Sequence, residues 1–162
     1  MNASTTNVSS VSSKFGLLSK AITLLAFYGC CLLSAQAQEA QTVLGEWYTE
    51  EKKAKVEIYE CETGYCGKIV WLKEPNNPDG TQKLDDENPD TSLRSRTIIG
   101  SNILTGLEYE GDGEWEDGEI YDPESGKTYS CLMELEDDDT LEVRGFIGLS
   151  LIGRSQTWTR AE

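Results

Sequence analysis

Residues 38–162 are predicted to fold as an all-β domain, an antiparallel up-and-down barrel of eight strands. Short runs of alternating apolar and polar residues follow one another, and no run of helical period is long enough to sustain a helix. Compact turn chemistry separates them, as in Gly111-Asp112-Gly113 and Asp122-Pro123-Glu124-Ser125-Gly126. A meander of eight strands leaves two edges unless it closes, and closure removes both.

The chain opens with a segment outside that pattern. Lys14 and Lys20 precede an apolar run from Ala21 to Leu33, which ends in Ser34-Ala35-Gln36-Ala37. A basic start, a short apolar core and small residues at its end mark a secretory signal peptide. The core falls short of the ~20 residues that span a bilayer. Residues 1–37 are therefore read as a signal peptide cleaved after Ala37. The product is expected in the periplasm or secreted, with no stable membrane insertion. Cys30 raises lipoprotein processing as an alternative, which the bulky Phe27-Tyr28 before it disfavours.

Cleavage would leave 125 residues, room for a single core, with 12 basic and 29 acidic residues and a formal net charge of −17. Such a charge repels phosphate backbones and anionic membrane surfaces, so nucleic acid is not an expected partner. Solubility is its plain reading; recognition of a basic partner is the alternative. Histidine is absent. That removes the commonest general base, the usual imidazole zinc ligand and every Ser-His or Cys-His nucleophile. Carboxylate, tyrosine or lysine chemistry stays open. No phosphate loop, nucleophile elbow or zinc pattern is present, so neither enzyme activity nor any cofactor or metal is expected.

Strands are expected near 44–50, 53–61, 66–73, 101–110, 114–121, 127–136, 140–146 and 150–160. In the second, Ala54, Val56 and Ile58 face inward while Lys53, Lys55 and Glu57 face water. Cys61 and Cys66 bracket Glu62-Thr63-Gly64-Tyr65 and, in an exported chain, read as a disulfide across a hairpin. Pairing them directly sets Ile58 opposite Ile69 and Val56 opposite Trp71, with both sulfurs on the exterior. A three-residue turn at Gly111-Asp112-Gly113 sets Tyr109 opposite Trp115, a favourable aromatic pair, and Leu107 opposite Asp117, an unfavourable one. Asp137-Asp138-Asp139 is a solvated turn. Cys131 lies in an apolar alternation and reads as a buried small residue. Residues 74–96 form a long insert rich in Pro, Asn, Asp and Gly, a candidate lid.

Two features at the ends of this meander point to a superfamily. Gly45-Glu46-Trp47 opens the first strand and Arg160 closes the last, which resembles lipocalin-like (calycin) barrels. The resemblance implies a tryptophan at the closed end with an arginine lying across it, a contact worth ~0.5–2 kcal/mol. Gly45-Glu46-Trp47-Tyr48-Thr49, Cys66-Gly67-Lys68-Ile69-Val70-Trp71-Leu72, Asp85 with Asn88-Pro89-Asp90, Gly118-Glu119-Ile120-Tyr121-Asp122-Pro123, Leu141-Glu142-Val143-Arg144-Gly145 and the run from Gly153 to Arg160 together resemble the bacterial domain-of-unknown-function family 2147. That resemblance runs from about Leu44 to Arg160. It implies an exported lipocalin-like barrel without assigning an activity.

Candidate binding residues are Trp71, Arg94, Arg96, Tyr121, Arg144 and Trp158. Arg94 and Arg96 point the same way and either clamp an anionic ligand or pin the 74–96 loop through its own acids. Arg144 reads as an exterior salt-bridge residue, unless Gly145 turns that face inward. Trp71 and Trp158 fill the core or line a pocket. Asp85, Asn88 and Asp90 read as capping and Asx-turn residues rather than a calcium loop. The leading expectation is a carrier of a small apolar or amphipathic, lipid-like molecule. The alternative is an acidic interaction module with a filled barrel, docking a protein of the cell envelope.

Overall fold

A computed structural model of the chain describes residues 39–149 and 151–161. The export signal expected over 1–37, with Cys30, lies outside them. Eight antiparallel strands form a closed barrel in chain order: β1 (Gly45–Tyr48), β2 (Ala54–Cys61), β3 (Gly64–Leu72), β4 (Asn102–Gly111), β5 (Glu114–Asp122), β6 (Lys127–Asp137), β7 (Thr140–Phe146) and β8 (Gly153–Arg160). β8 closes the ring on β1 by pairing Trp47 with Arg160. Since each strand pairs with the next, the connections fall alternately at two ends. Residues 39–44 and the turns at 62–63, 112–113 and 138–139 form one end. The segments 49–53, 73–101, 123–126 and 147–152 form the other, the far end.

The first hairpin corrects the expected register. Val56 lies opposite Ile69 and Tyr59 opposite Cys66, a shift of two residues from direct pairing of the cysteines. The chain turns tightly at Glu62-Thr63 because Gly64 adopts φ 107°, where a Cβ would press into the Leu107 carbonyl. A shift of two keeps every side chain on its face, which is why the apolar alternation could not detect it. The Cys61–Cys66 disulfide forms all the same, with Cα atoms 5.9 Å apart, and joins the strands diagonally. Cys66 shares the outer face with Tyr59, as expected, but is covered there, 5% exposed. The Thr63 hydroxyl of the turn lies close to both sulfurs.

A bulge moves Trp71. Lys55 pairs with Trp71 and Val56 with Ile69, so Val70 is the extra residue on β3. Trp71 is thereby turned to the outer face, 40% exposed, with its ring edge-on to Tyr48 at 6.0 Å. Its expected inward position opposite Val56 is corrected. On the second hairpin Tyr109 does pair with Trp115. The turn is two residues, Asp112-Gly113, both at positive φ, which suits the twist of a hairpin. Asp117 also turns to φ 58°, and Leu107 packs instead over Gly118, where any Cβ would collide with it. That removes the unfavourable Leu–Asp contact.

β8 begins at Gly153 rather than 150, since residues 147–152 close a turn through Ile152 N–H to the Leu149 carbonyl at 2.9 Å. β1 ends at Tyr48, ahead of a short 3-10 turn over Glu50–Lys52. Inside the barrel, Trp47, Trp115, Trp158, Leu104, Met133 and Leu141 are all fully buried. Outside, Lys55–Glu46 and Lys68–Glu57 pair at 2.8 Å, with Lys55 and Glu57 on the water-facing side expected of them.

Candidate functional site

The end that holds residues 39–44 is plugged. The Arg160 guanidinium lies 4.1 Å over the Trp47 ring and donates to the carbonyls of Thr42 (2.7 Å) and Leu44 (3.1 Å). Trp47 donates its own Nε1–H to the Val43 carbonyl at 2.8 Å. A planar, five-donor cation fits this task because it stacks and forks at once. Gly45 lies beneath, where a Cβ would come within 3.6 Å of the Arg160 guanidinium.

Cross-strand pairing assigns the rest of the inner face. Directly opposed residues share a face, so the ladder Tyr109, Trp115, Met133, Val143, Gln156 runs across β4 to β8 on the inside. Leu135, Leu141 and Trp158 form the ladder beneath it. Above it, Gly118, Cys131, Gly145 and Arg154 form one ladder, and Leu104, Ile120 and Tyr129 another. Trp115, Met133, Val143, Leu141 and Trp158 are buried, as are Leu104 and Cys131 nearer the far end; Leu135, Ile120, Tyr129 and Gln156 are half-buried, and Arg154 is exposed at the rim. The Arg154 side chain is 77% exposed and touches Glu50 at 3.3 Å. Trp158 donates Nε1–H to Gln156 Oε1 at 3.1 Å, which fixes that amide above the tryptophan floor. Toward the far end the inner face thus passes from the buried tryptophans through the Gln156 amide and Tyr129 to Arg154 at the rim.

Five other residues meet in a latch at the far end. Asp85 is fully buried and accepts from Tyr121 OH at 2.6 Å, Asn88 Nδ2 at 2.7 Å and Arg96 Nε at 2.9 Å. Arg96 adds an ion pair at 2.7 Å. Burial pushes the Asp85 carboxyl up, but the donors from Tyr121, Asn88 and Arg96 and the arginine charge outweigh it and hold the pKa below the ordinary value. Burial, then the facing carboxylate, pushes the Tyr121 hydroxyl up to about 12. Arg94 donates to the Asn88 carbonyl at 2.7 Å. Asn88 Oδ1 accepts from Asp90 N–H, and Asp90 caps the short 3-10 turn Thr91–Leu93 through Ser92 N–H. These contacts fit the loop-pinning and Asx-turn readings of Arg94, Arg96, Asp85, Asn88 and Asp90. The Glu87 backbone also lies against Gly126 of the β5–β6 turn, so the loop is fastened at two places.

The structure therefore divides the six expected binding residues. Trp158 faces the lumen, and Arg94, Arg96 and Tyr121 join the latch. Arg144 is on the outer face, donating to Ser155 Oγ at 2.9 Å, whose hydroxyl donates to Glu142 at 2.8 Å. Trp71 is outside as well. Cys131 is buried, and burial pushes its thiol up to about 12, as befits a packing residue. Ile120, Tyr129, Arg154 and Gln156 were not among the expected residues. The alternation Arg154-Ser155-Gln156-Thr157-Trp158 carried the signal, since Arg154 and Gln156 share the face of Trp158.

Comparison with known proteins agrees with this architecture. The family model described as an uncharacterized protein conserved in bacteria, DUF2147, matches residues 45–160, from β1 to the last residue of β8. The chain belongs to the DUF2147 family. This DUF2147 chain is also similar to a solved structure from the human pathogen Helicobacter pylori, HP1028, described as belonging to the lipocalin family. The identity is 25%, the match covers 74% of this chain and 83% of that one, and the TM-score is 0.64. No curated protein matches it. The DUF2147 chain thus has a lipocalin-like barrel, whose plug is the Trp47–Arg160 pair that the resemblance implied.

Proposed function

We propose that this protein is an exported lipocalin-like carrier that holds one amphipathic molecule in the cup at the far end of the barrel. The observation that supports this reading is that Ile120, Tyr129 and Gln156 on the inner face are only half-buried while Trp115 and Trp158 are sealed; they would bound a shallow cup with Arg154 at its lip. Ligand sites are concave and mostly apolar with a few placed polar groups, and this cup has that composition. An apolar chain would rest on Ile120 and Tyr129, and an anionic head group would meet Arg154 at the lip. The loop 74–96, latched by Asp85, acts as a lid whose closed position is set away from the ligand, so Arg94 and Arg96 serve it rather than the head group. The disulfide fits an oxidising compartment, the periplasm or the medium.

The test is titration with a fluorescent polyene fatty acid, read by energy transfer from the barrel tryptophans. Saturable one-to-one binding is expected, displaced by unlabelled fatty acid. Arg154→Glu is expected to weaken it about tenfold, the scale of one charge-assisted contact. Absence of saturable transfer across fatty acids and lysolipids would count against a carrier.

A second reading, a filled barrel that works as an acidic interaction module, is favoured by the three fully buried tryptophans that occupy the inner space. It predicts no displaceable probe.

A further inference from the structure

Exposed apolar surface is unevenly placed on this barrel. Ile147, Leu149, Leu151 and Ile152 of the β7–β8 turn are 70%, 69%, 87% and 71% exposed. Scattered exposed aliphatics need no explanation, but here Leu84, Leu93, Ile99 and Trp71 add to the same end. Among the described residues, each exposed large apolar side chain belongs to the far end. The turn is a built element rather than a loose strand end. Ile147 N–H donates to the Ile152 carbonyl at 3.3 Å and Ile152 N–H to the Leu149 carbonyl at 2.9 Å.

Charge is divided the same way. The plugged end carries Glu39, Glu62, Asp112, Asp138 and Asp139 in its connections and no Lys or Arg. The far-end segments 49–53, 73–101, 123–126 and 147–152 hold six Lys or Arg against nine Asp or Glu, and the 147–152 turn holds no charge at all. The far end is thus close to balance while the body is strongly acidic.

We propose that the far end docks on a neutral lipid bilayer surface, with the 147–152 turn entering the interface and the acidic body held away from it. Apolar side chains on a projecting turn gain free energy by leaving water for the acyl boundary, without crossing the membrane. The near-balanced charge around the turn allows approach to zwitterionic headgroups, and the acidic body disfavours any other orientation and any anionic lipid. The docking surface shares Leu84 and Leu93 with the 74–96 loop but does not include Ile120, Tyr129 or Gln156, so variants at Leu151 and Ile152, outside that loop, test it separately from the carrier reading.

The test is flotation of the protein, recovered from exporting cells with its N-terminal residue determined, on phosphatidylcholine vesicles. It is expected to float, equally at low and high salt, and less well as phosphatidylglycerol is mixed in. The double variant L151S/I152S, which adds no charge beside Arg154, is expected to bind the vesicles about tenfold or more weaker, while fatty-acid binding in the cup is unchanged. Its melting temperature, compared with that of the wild type, reports whether it folds; should it unfold, L149S/L151S takes its place. Wild type that stays in the aqueous fraction, or a folded variant that floats equally well, overturns the proposal. So does light scattering that finds a wild-type dimer dissolved by the variant, since the turn would then be an interface between copies.

Discussion

Asp85 accepts from more side chains than any other described residue of the loop, because a buried carboxylate has to be fully paired to be tolerated at all. Replacing it with Asn turns one acceptor oxygen into a donor facing Arg96 or Tyr121. Asp85→Asn is expected to cost about 1–3 kcal/mol, the scale of an unsatisfied buried group. Trypsin at neutral pH should then cut after Arg94 or Arg96 in the variant and spare the wild type. The pH dependence follows from the lowered pKa. The latch contributes fully above the ordinary aspartate value of 3.8 and is lost as the pH falls through the lower value of the folded protein. Pepsin should therefore cut within 74–96 only at the acid end of its range. At the plug, Arg160→Lys keeps the charge and loses the fork to Thr42 and Leu44. Chemical denaturation should find the variant about 1–2 kcal/mol less stable, through lost carbonyl bonds and stacking.

The β2–β3 hairpin is the element in which local sequence and structure are most closely tied. Its disulfide closes a short loop, so the double change of Cys61 and Cys66 to Ser should cost about 2 kcal/mol. Differential scanning calorimetry should show a melting temperature lower by about 4–8 °C per kcal/mol, with fatty-acid binding unchanged. Thiol labelling of the native protein should spare Cys131, whose thiol is buried and held protonated. The same hairpin marks what could not be read in advance. Alternation of Lys55, Val56, Glu57 and Ile58 fixed which side faces the core, because period two is a property of the strand alone. The two-residue shift and the bulge at Val70 leave that period intact on β2, and the tight turn behind the shift has Gly64 against Leu107, 43 positions on, outside the hairpin. Trp71 was misplaced for that reason: one inserted residue reverses a face, and nothing local announces it.

At the scale of the whole molecule, the closed eight-stranded barrel was legible because turn residues recur at strand spacing and an open meander would leave edges. The plug was legible through Trp47 and Arg160, which stand at the two termini of the barrel. The cup was less so. Ile120, Tyr129, Gln156 and Arg154 come to share the inner face only when β5, β6, β7 and β8 are in register, and pairing across four strands is not written in any one of them. The latch lies between these cases, since Asp85, Asn88, Arg94 and Arg96 are close in sequence while Tyr121 is not. The carrier reading rests on the cup, and native mass spectrometry of the protein recovered from exporting cells tests it most directly. The account predicts a folded species carrying one small organic molecule, lost on denaturation and depleted in the Tyr129→Ala and Arg154→Glu variants. A folded species of apoprotein mass alone, from cells and after incubation with fatty acids, would contradict it.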